Sequence, residues 1–372
     1  MKILIAANYA TPASGNFIAS LLELGKKMKA EGDEIVFCFP LASNTSSDKS
    51  WTNWLRSEGF QVYLADLNES EQNQLTFLTT IIKQHNIELL HIHFEMFHHL
   101  ALTYMKQIGV KVLIHDHMEY YPKKKSRQVA RCLARSMIYR WRGVGIVSVN
   151  REKNSAFLFA RHWYLPNGLS LHRNVKHSAT REECRAELGL LPQDKMCLLL
   201  GWAFQIKGVD IAVKAVEELR KENQQLLIGI IGFGDPPKKK RLDELKKKTG
   251  IEPDSPWIRY LPSREDMFAY HRAVDVYLSS SRSEAFSYGL LEAISQNTPV
   301  VVSDIKGTSW SKAYSKSVFY PTENYRECAK AIKAALEIGR ADSNYLEVMN
   351  NYSIDKWCCG LKEIYQEMLN VK

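Results

Sequence analysis

Short apolar runs alternate with amphipathic stretches along the whole chain. That alternation predicts parallel sheets wrapped by helices. In the first half Lys2–Ala7, Glu34–Pro40, Gln61–Ala65, Leu89–Phe94, Lys111–His115 and Gly145–Val149 read as strands. Phe17–Glu31 between them is an amphipathic helix stopped by Gly32. Tyr164-Leu165-Pro166-Asn167-Gly168 is a turn signal, and the polar, aperiodic residues through about Thr180 read as a linker and hinge. In the second half Met196–Leu200, Gln225–Ile231, Trp257–Leu261, Val274–Leu278, Pro299–Ser303 and Ser317–Pro321 read as strands. Tyr325–Gly339 and roughly Ile354–Val371 read as helices.

Length agrees with two domains, because 372 residues exceed what one hydrophobic core usually serves. The expected division is 1–168 and 169–353. No apolar run is long enough to span a bilayer. The N-terminus reads as a first strand rather than a signal peptide. Seven cysteines without metal-like spacing suit a reducing compartment. A cytoplasmic location is the expectation. Fifty basic residues against 41 acidic ones give a net charge of +9, which permits an anionic partner without choosing one.

The stretch with the most chemistry is Ser279–Glu292. It follows an apolar strand and leads into the helix former Leu290-Leu291-Glu292-Ala293-Ile294. Amides at a helix start are unpaired and attract anions. Were the segment fully helical, Glu284 and Glu292 would lie roughly 12 Å apart along the axis. Each carboxylate would then reach hydroxyls at one end of a ligand, with a phosphate between them at Phe286, Ser287 and Tyr288. That ligand describes a nucleotide-sugar.

Glu284-x7-Glu292 with Phe286 between, ahead of Thr298-Pro299-Val300-Val301-Val302-Ser303-Asp304, resembles the signature of retaining nucleotide-sugar glycosyltransferases of family 4. The resemblance implies the α/β GT-B fold: two Rossmann-like domains facing each other across a cleft, with the last helix (about 354–372) packed back on the first domain. It implies an acceptor-side first domain and a nucleotide-sugar-binding second one. Lys207 is expected to open the helix after the strand ending at Leu200, is placed to neutralise a diphosphate and matches the family's Lys. Trp202 occupies the position where the family carries Arg, which leaves Arg282 as the candidate second cation. Gly232-Phe233-Gly234 resembles the family's turn near the base, so Gly232 joins the donor-binding set.

In the first half, Gly15-Asn16 follows strand one, where backbone approaches a ligand closely. The family usually has Gly-Gly here, and Asn16 tolerates a left-handed conformation. His91-x-His93 and His115-Asp116-His117 stand at strand ends. A metal is not expected there, because the sequence shows no third ligand cluster. The resemblance implies a histidine facing the donor sugar, matched by either His115 or His117. Pro122–Arg142 has no acidic residue. Lys123, Lys124, Lys125, Arg127, Arg131 and Arg135 make it a basic amphipathic segment suited to an anionic membrane surface.

These readings combine into a metal-independent hexosyltransferase. Glu284 positions the sugar, Lys207 and the helix start stabilise the leaving diphosphate, and Glu292 holds the ribose. No Asp-x-Asp pair is present to bind a metal, and no cofactor is expected. The donor is a nucleotide-sugar, UDP-linked by preference. The acceptor is a glycan, lipid-linked or anionic polymer hydroxyl, in cell-surface polysaccharide assembly. Peripheral attachment to the inner membrane face is the accompanying expectation. Nucleic acid is not an expected partner. An epimerase or sugar phosphorylase of the same fold, and a non-catalytic membrane-associated partner subunit, are the alternatives.

Overall fold

The structure is a computed structural model. It describes all residues except 12–13, 44–49, 95, 97–103, 118–125, 152–157, 172–178, 341–342 and 371–372. The chain divides into two units, Met1–Ser170 with Ser353–Lys372, and Leu171–Tyr352.

The first unit holds seven parallel strands: β1 Lys2–Ala7, β2 Glu34–Pro40, β3 Gln61–Ala65, β4 Leu89–His93, β5 Lys111–Asp116, β6 Gly145–Ser148 and β7 Arg161–Tyr164. Their order is β3-β2-β1-β4-β5-β6-β7. Inner strands such as β1 and β4 are almost wholly buried. β1 reads as an apolar run after Lys2 because helices cover both faces of a parallel sheet, whereas β4, Leu-Leu-His-Ile-His, buries two histidines. The Gly15–Ala30 helix buries Phe17, Leu21, Leu24 and Met28 along one stripe. The Ile354–Asn370 helix belongs to this unit and buries Trp357, Leu361, Ile364 and Tyr365. Gly168 lies where a Cβ would stand 2.6 Å from the Trp357 Cβ, so only glycine lets that helix approach.

The second unit holds six parallel strands: β8 Lys195–Leu200, β9 Leu226–Ile231, β10 Ile258–Leu261, β11 Val276–Ser279, β12 Val300–Ser303 and β13 Ser317–Tyr320. Their order is β10-β9-β8-β11-β12-β13. A core of Met196, Leu198, Val213, Ile228, Ile230, Leu278, Leu290, Val301 and Ile332 fills it. In each unit the strand order reverses once, between β1 and β4 and between β8 and β11. Open α/β sheets bind ligands at the carboxyl ends of the strands at such a reversal.

Several elements differ from the pattern-based expectation. β7 falls just before the expected turn. Its four residues, Arg-His-Trp-Tyr, form a half-exposed edge with no apolar alternation. The Arg181–Glu187 helix, not expected from the pattern, starts directly at the expected end of the linker, capped by Thr180 and Glu183 in a reciprocal box. The helix after Lys207 begins at Val209, behind a left-handed Gly208 (φ 60°), so Lys207 belongs to the turn rather than to the helix. Glu284 likewise precedes its helix, which spans Tyr288–Ser295 with Ser287 as cap. The fully helical spacing between Glu284 and Glu292 therefore does not apply.

Candidate functional site

At the second unit's strand-order reversal, the turn after β8 meets the turn after β11. The serines at the end of β11 stitch them together. Ser280 Oγ donates to the carbonyls of Lys207 (2.8 Å) and Gly208 (3.1 Å). Ser303 Oγ, at the end of β12, donates to the Ser281 carbonyl at 2.6 Å. A Cβ at Gly208 would sit 2.0 Å from the Ser280 carbonyl oxygen, so the approach of the two turns requires glycine there.

This stitching places the Lys207 ammonium 2.6 Å from Glu284 Oε2, with the Ser281 hydroxyl donating to the same oxygen at 3.1 Å. Both charged side chains are largely buried, 11% and 13% exposed. The Trp202 indole lies alongside, its ring centroid 5.4 Å from the Lys207 Nζ. Full charges are affordable at this depth because they are paired and hydrogen-bonded. A cation and an acceptor side by side suit a ligand whose phosphate adjoins hydroxyls.

Ser287 caps the following helix by accepting from the Leu290 N–H at 3.3 Å. The start of that helix adds partial positive charge to the same corner. Beneath it lies the Tyr277 ring. A Cβ at Gly289 would be 2.4 Å from the Tyr277 hydroxyl oxygen. Burial, then the negative charges of Glu284 and Glu292, push the Tyr277 phenol far above its usual range. The phenol thus stays neutral. Glu292 is buried at 4%, and its Oε2 lies 3.6 Å from His271 Nε2.

Three expected donor-binding residues are held in other work. Phe286 is 7% exposed and stacks on Trp310 at 4.8 Å, with Tyr352 at 5.6 Å. Its ring anchors the turn. Arg282 is clamped by both carboxylate oxygens of Asp210 at 2.9 Å, by Glu323 and by the Gln205 carbonyl at 2.7 Å. All five of its donors are engaged, so it is a brace rather than a second phosphate cation. Asn16 is helical, and Gly15 takes the left-handed conformation (φ 56°). The Asn16 amide donates to the Gly168 carbonyl at 3.0 Å and accepts from the Ser170 N–H at 3.1 Å, tying the helix to the segment after β7 within the first unit. Gly232 keeps a glycine-only conformation (φ 100°) with Trp202 backbone 2.7 Å from where its Cβ would be.

In the first unit His91, His93, His115 and His117 converge. His93 and His115 are register partners on β4 and β5. His115 stacks on His117 at 4.4 Å, and His93 Nδ1 is 2.8 Å from His117 Nε2. His115 is buried at 2%, whereas His117 is half-buried. Phe94 at the end of β4 has φ 55°, a strained conformation for an aromatic residue, and stacks on His117 at 4.5 Å. Of the basic segment, Lys123, Lys124 and Lys125 lie outside the described residues, as do the side chains of Arg127 and Arg131. Arg135 lies half-buried on the Ser126–Arg142 helix. Met137, Ile138 and Trp141 are exposed on the same helix, at 56%, 46% and 69%.

Sequence reading missed Ser281, Asp210, Glu323 and His271. Glu323 and His271 reach their partners from other turns and helices, without a local pattern. The Ser-Ser-Ser run at the end of β11 is a usable signal for Ser281, since small hydroxyls at a buried strand end must bond to neighbouring backbone.

Residues 180–354 match the family model described as glycosyl transferases group 1. That stretch is a group 1 glycosyltransferase domain. The D-inositol 3-phosphate glycosyltransferase of Nocardia farcinica is 30% identical over 152 residues, 39% of this chain and 33% of that protein. The lipopolysaccharide glucosyltransferase WaaG of Escherichia coli is 28% identical over 150 residues, 40% of this chain and 38% of WaaG. The chain thus matches only a third to two-fifths of the length of these relatives. Anabaena HepE, solved in complex with UDP-glucose, superposes with a TM-score of 0.75 over 99% of this chain and 100% of its own, at 16% identity. That likeness shows the GT-B class of fold, two parallel-sheet Rossmann-like domains.

Proposed function

We propose that the protein transfers a sugar from a nucleotide-diphosphate sugar to a hydroxyl acceptor, with retention at the anomeric carbon and without a metal on the diphosphate. The Lys207–Glu284 pair at the β8/β11 reversal carries this reading. In a bound donor the Lys207 ammonium moves from Glu284 to the diphosphate, and the Glu284 carboxylate accepts from sugar hydroxyls instead. As the glycosidic bond breaks, charge grows on the leaving diphosphate. Lys207 and the start of the Tyr288–Ser295 helix stabilise it. Glu292, buried and acceptor-only, suits the ribose hydroxyls. UDP is the preferred nucleotide, since HepE carries UDP-glucose on the same fold. A thermal-shift screen of UDP-, GDP- and ADP-sugars tests the reading: a UDP-sugar should raise the melting temperature most.

His117 is proposed over His115 as the histidine that meets the sugar, because it alone of the two is partly open to solvent. The acceptor is proposed to be lipid-linked or an anionic polymer of the cell surface. WaaG, a lipopolysaccharide glucosyltransferase, is among the relatives, and the exposed Met137, Ile138 and Trp141 beside Arg140 and Arg142 suit an anionic bilayer. No described helix is long and apolar enough to cross a membrane. Flotation with anionic liposomes at low salt should carry the protein upward.

A further inference from the structure

The histidines of the first unit pose a physical problem that sugar transfer does not solve. His91 and His93 are fully buried, and His115 nearly so. Among the described residues, His91 Nε2, His93 Nε2 and both ring nitrogens of His115 have no hydrogen-bond partner. An orphaned buried polar group is destabilising, and buried polar atoms in native proteins nearly always have a partner. Four such atoms in one cluster call for an occupant.

We propose that His91, His93 and His115 form a binding site for a divalent transition metal ion, Zn²⁺ or a neighbour such as Co²⁺ or Ni²⁺. The three offer nitrogens that all lie within 4.8 Å of one another. The arrangement follows from the sheet. Positions i and i+2 of β4 face one side, and the register partner of His93 on β5 adds the third imidazole to that side. Small ring rotations bring such nitrogens to about 2.0–2.1 Å from one ion, leaving a further position open.

The groups behind the rings complete the site. A metal-bound imidazole donates its other N–H to an acceptor that fixes the ring. His91 Nδ1 lies 2.7 Å from the Tyr365 hydroxyl, and His93 Nδ1 lies 2.8 Å from His117 Nε2. Both contacts occupy Nδ1 and leave Nε2 for the ion. Burial holds the His91 ring neutral, the form that ligates. Phe17, 5.1 Å from the His93 ring, and Trp357, 6.4 Å from the His115 ring, supply an apolar shell. An all-imidazole donor set favours zinc, copper, nickel or cobalt over magnesium or calcium. The site is independent of the diphosphate, which the second unit is proposed to bind.

The test is a Co²⁺ titration of the full chain after chelator treatment, read by visible absorption, with Zn²⁺ as competitor. One ion per chain is expected, with the intense bands of a low-coordinate site, lost on adding Zn²⁺ and accompanied by a higher melting temperature. X-ray absorption at the cobalt edge should show imidazole scattering. Tyr365→Phe, which keeps the packing and removes the oxygen behind His91, should weaken binding about tenfold or more. His85→Ala, altering a histidine elsewhere, should leave it unchanged. His93→Ala should abolish it, with circular dichroism confirming that the variant folds. Failure of the wild-type chain to bind either ion overturns the proposal. So does binding that survives Tyr365→Phe intact or disappears with His85→Ala.

Discussion

Gly307 stands so close to Glu284 that a Cβ at position 307 would lie 1.6 Å from the Glu284 carbonyl oxygen. The loop after β12 therefore presses directly on the turn that carries the proposed sugar-binding carboxylate. Gly307→Ala must push that turn aside. Misplacing a reacting group by about 1 Å costs on the order of a hundredfold in rate. The variant is expected to keep its circular dichroism spectrum and lose about a hundredfold in kcat/KM for the donor. Unchanged kinetics would show that the position of Glu284 is immaterial.

The Lys207–Glu284 pair makes separate predictions for stability and for rate. Removing one partner leaves a charge largely buried and uncompensated, at a cost of up to about 3–5 kcal/mol. Lys207→Met and Glu284→Gln should each lower the denaturant midpoint. The double variant should lose less than the sum, in a double-mutant cycle. On the kinetic side, loss of the Lys207 charge should lower kcat by about a hundredfold, matching roughly 3 kcal/mol of transition-state stabilisation. Additive stability effects with normal turnover would remove the pair from the mechanism.

Arg282 should behave differently. Its guanidinium is committed to Asp210 and Glu323. Arg282→Ala leaves two carboxylates without their partner, and the expected result is a lower melting temperature with little change in donor KM for the fraction that stays folded. Trp202→Arg introduces a cation next to Lys207, at the position where the family carries one. It should tighten UDP binding, up to about tenfold, in a calorimetric titration.

The strand plan of both units was legible from apolar runs such as Lys2–Ala7 and Leu226–Ile231, because a strand covered on both faces is apolar throughout. β7 was not, since an exposed edge strand carries no such run. Lys207, Glu284 and Glu292 were legible as candidates, yet their arrangement was not. The left-handed Gly208 moves Lys207 off its helix, and the Ser287 cap leaves Glu284 before its own. Arg282 meets Asp210 across 72 residues and Glu323 across 41. Such separations leave no local trace. The third imidazole of the histidine cluster was hidden for the same reason: only the β4/β5 register brings His115 beside His93.

The histidine cluster also sets an acid limit on the metal-free protein. Burial, with a smaller contribution from His117, lowers the His91 pKa from 6.5 to about 3. His93 and His115 are lowered as well, again mainly by burial. A depressed native pKa means that the unfolded chain binds more protons. The stability is then complete above the unfolded pKa and lost as pH falls toward the native one. In chelator-treated protein the urea midpoint should hold steady above about pH 6.5 and decline from there toward pH 3. His91→Gln should flatten part of the decline. A midpoint level from pH 7 to 4 would mean that the rings are not buried neutral.

The central claim is a diphosphate site built from Lys207 and Glu284 without a metal. Calorimetric titration of UDP into the chain in excess EDTA tests it most directly, with Lys207→Met as the paired variant. Wild-type protein should bind one UDP per chain in EDTA, and the variant should bind at least about tenfold more weakly. Binding that requires an added divalent cation, or that is unaffected by Lys207→Met, would contradict the claim.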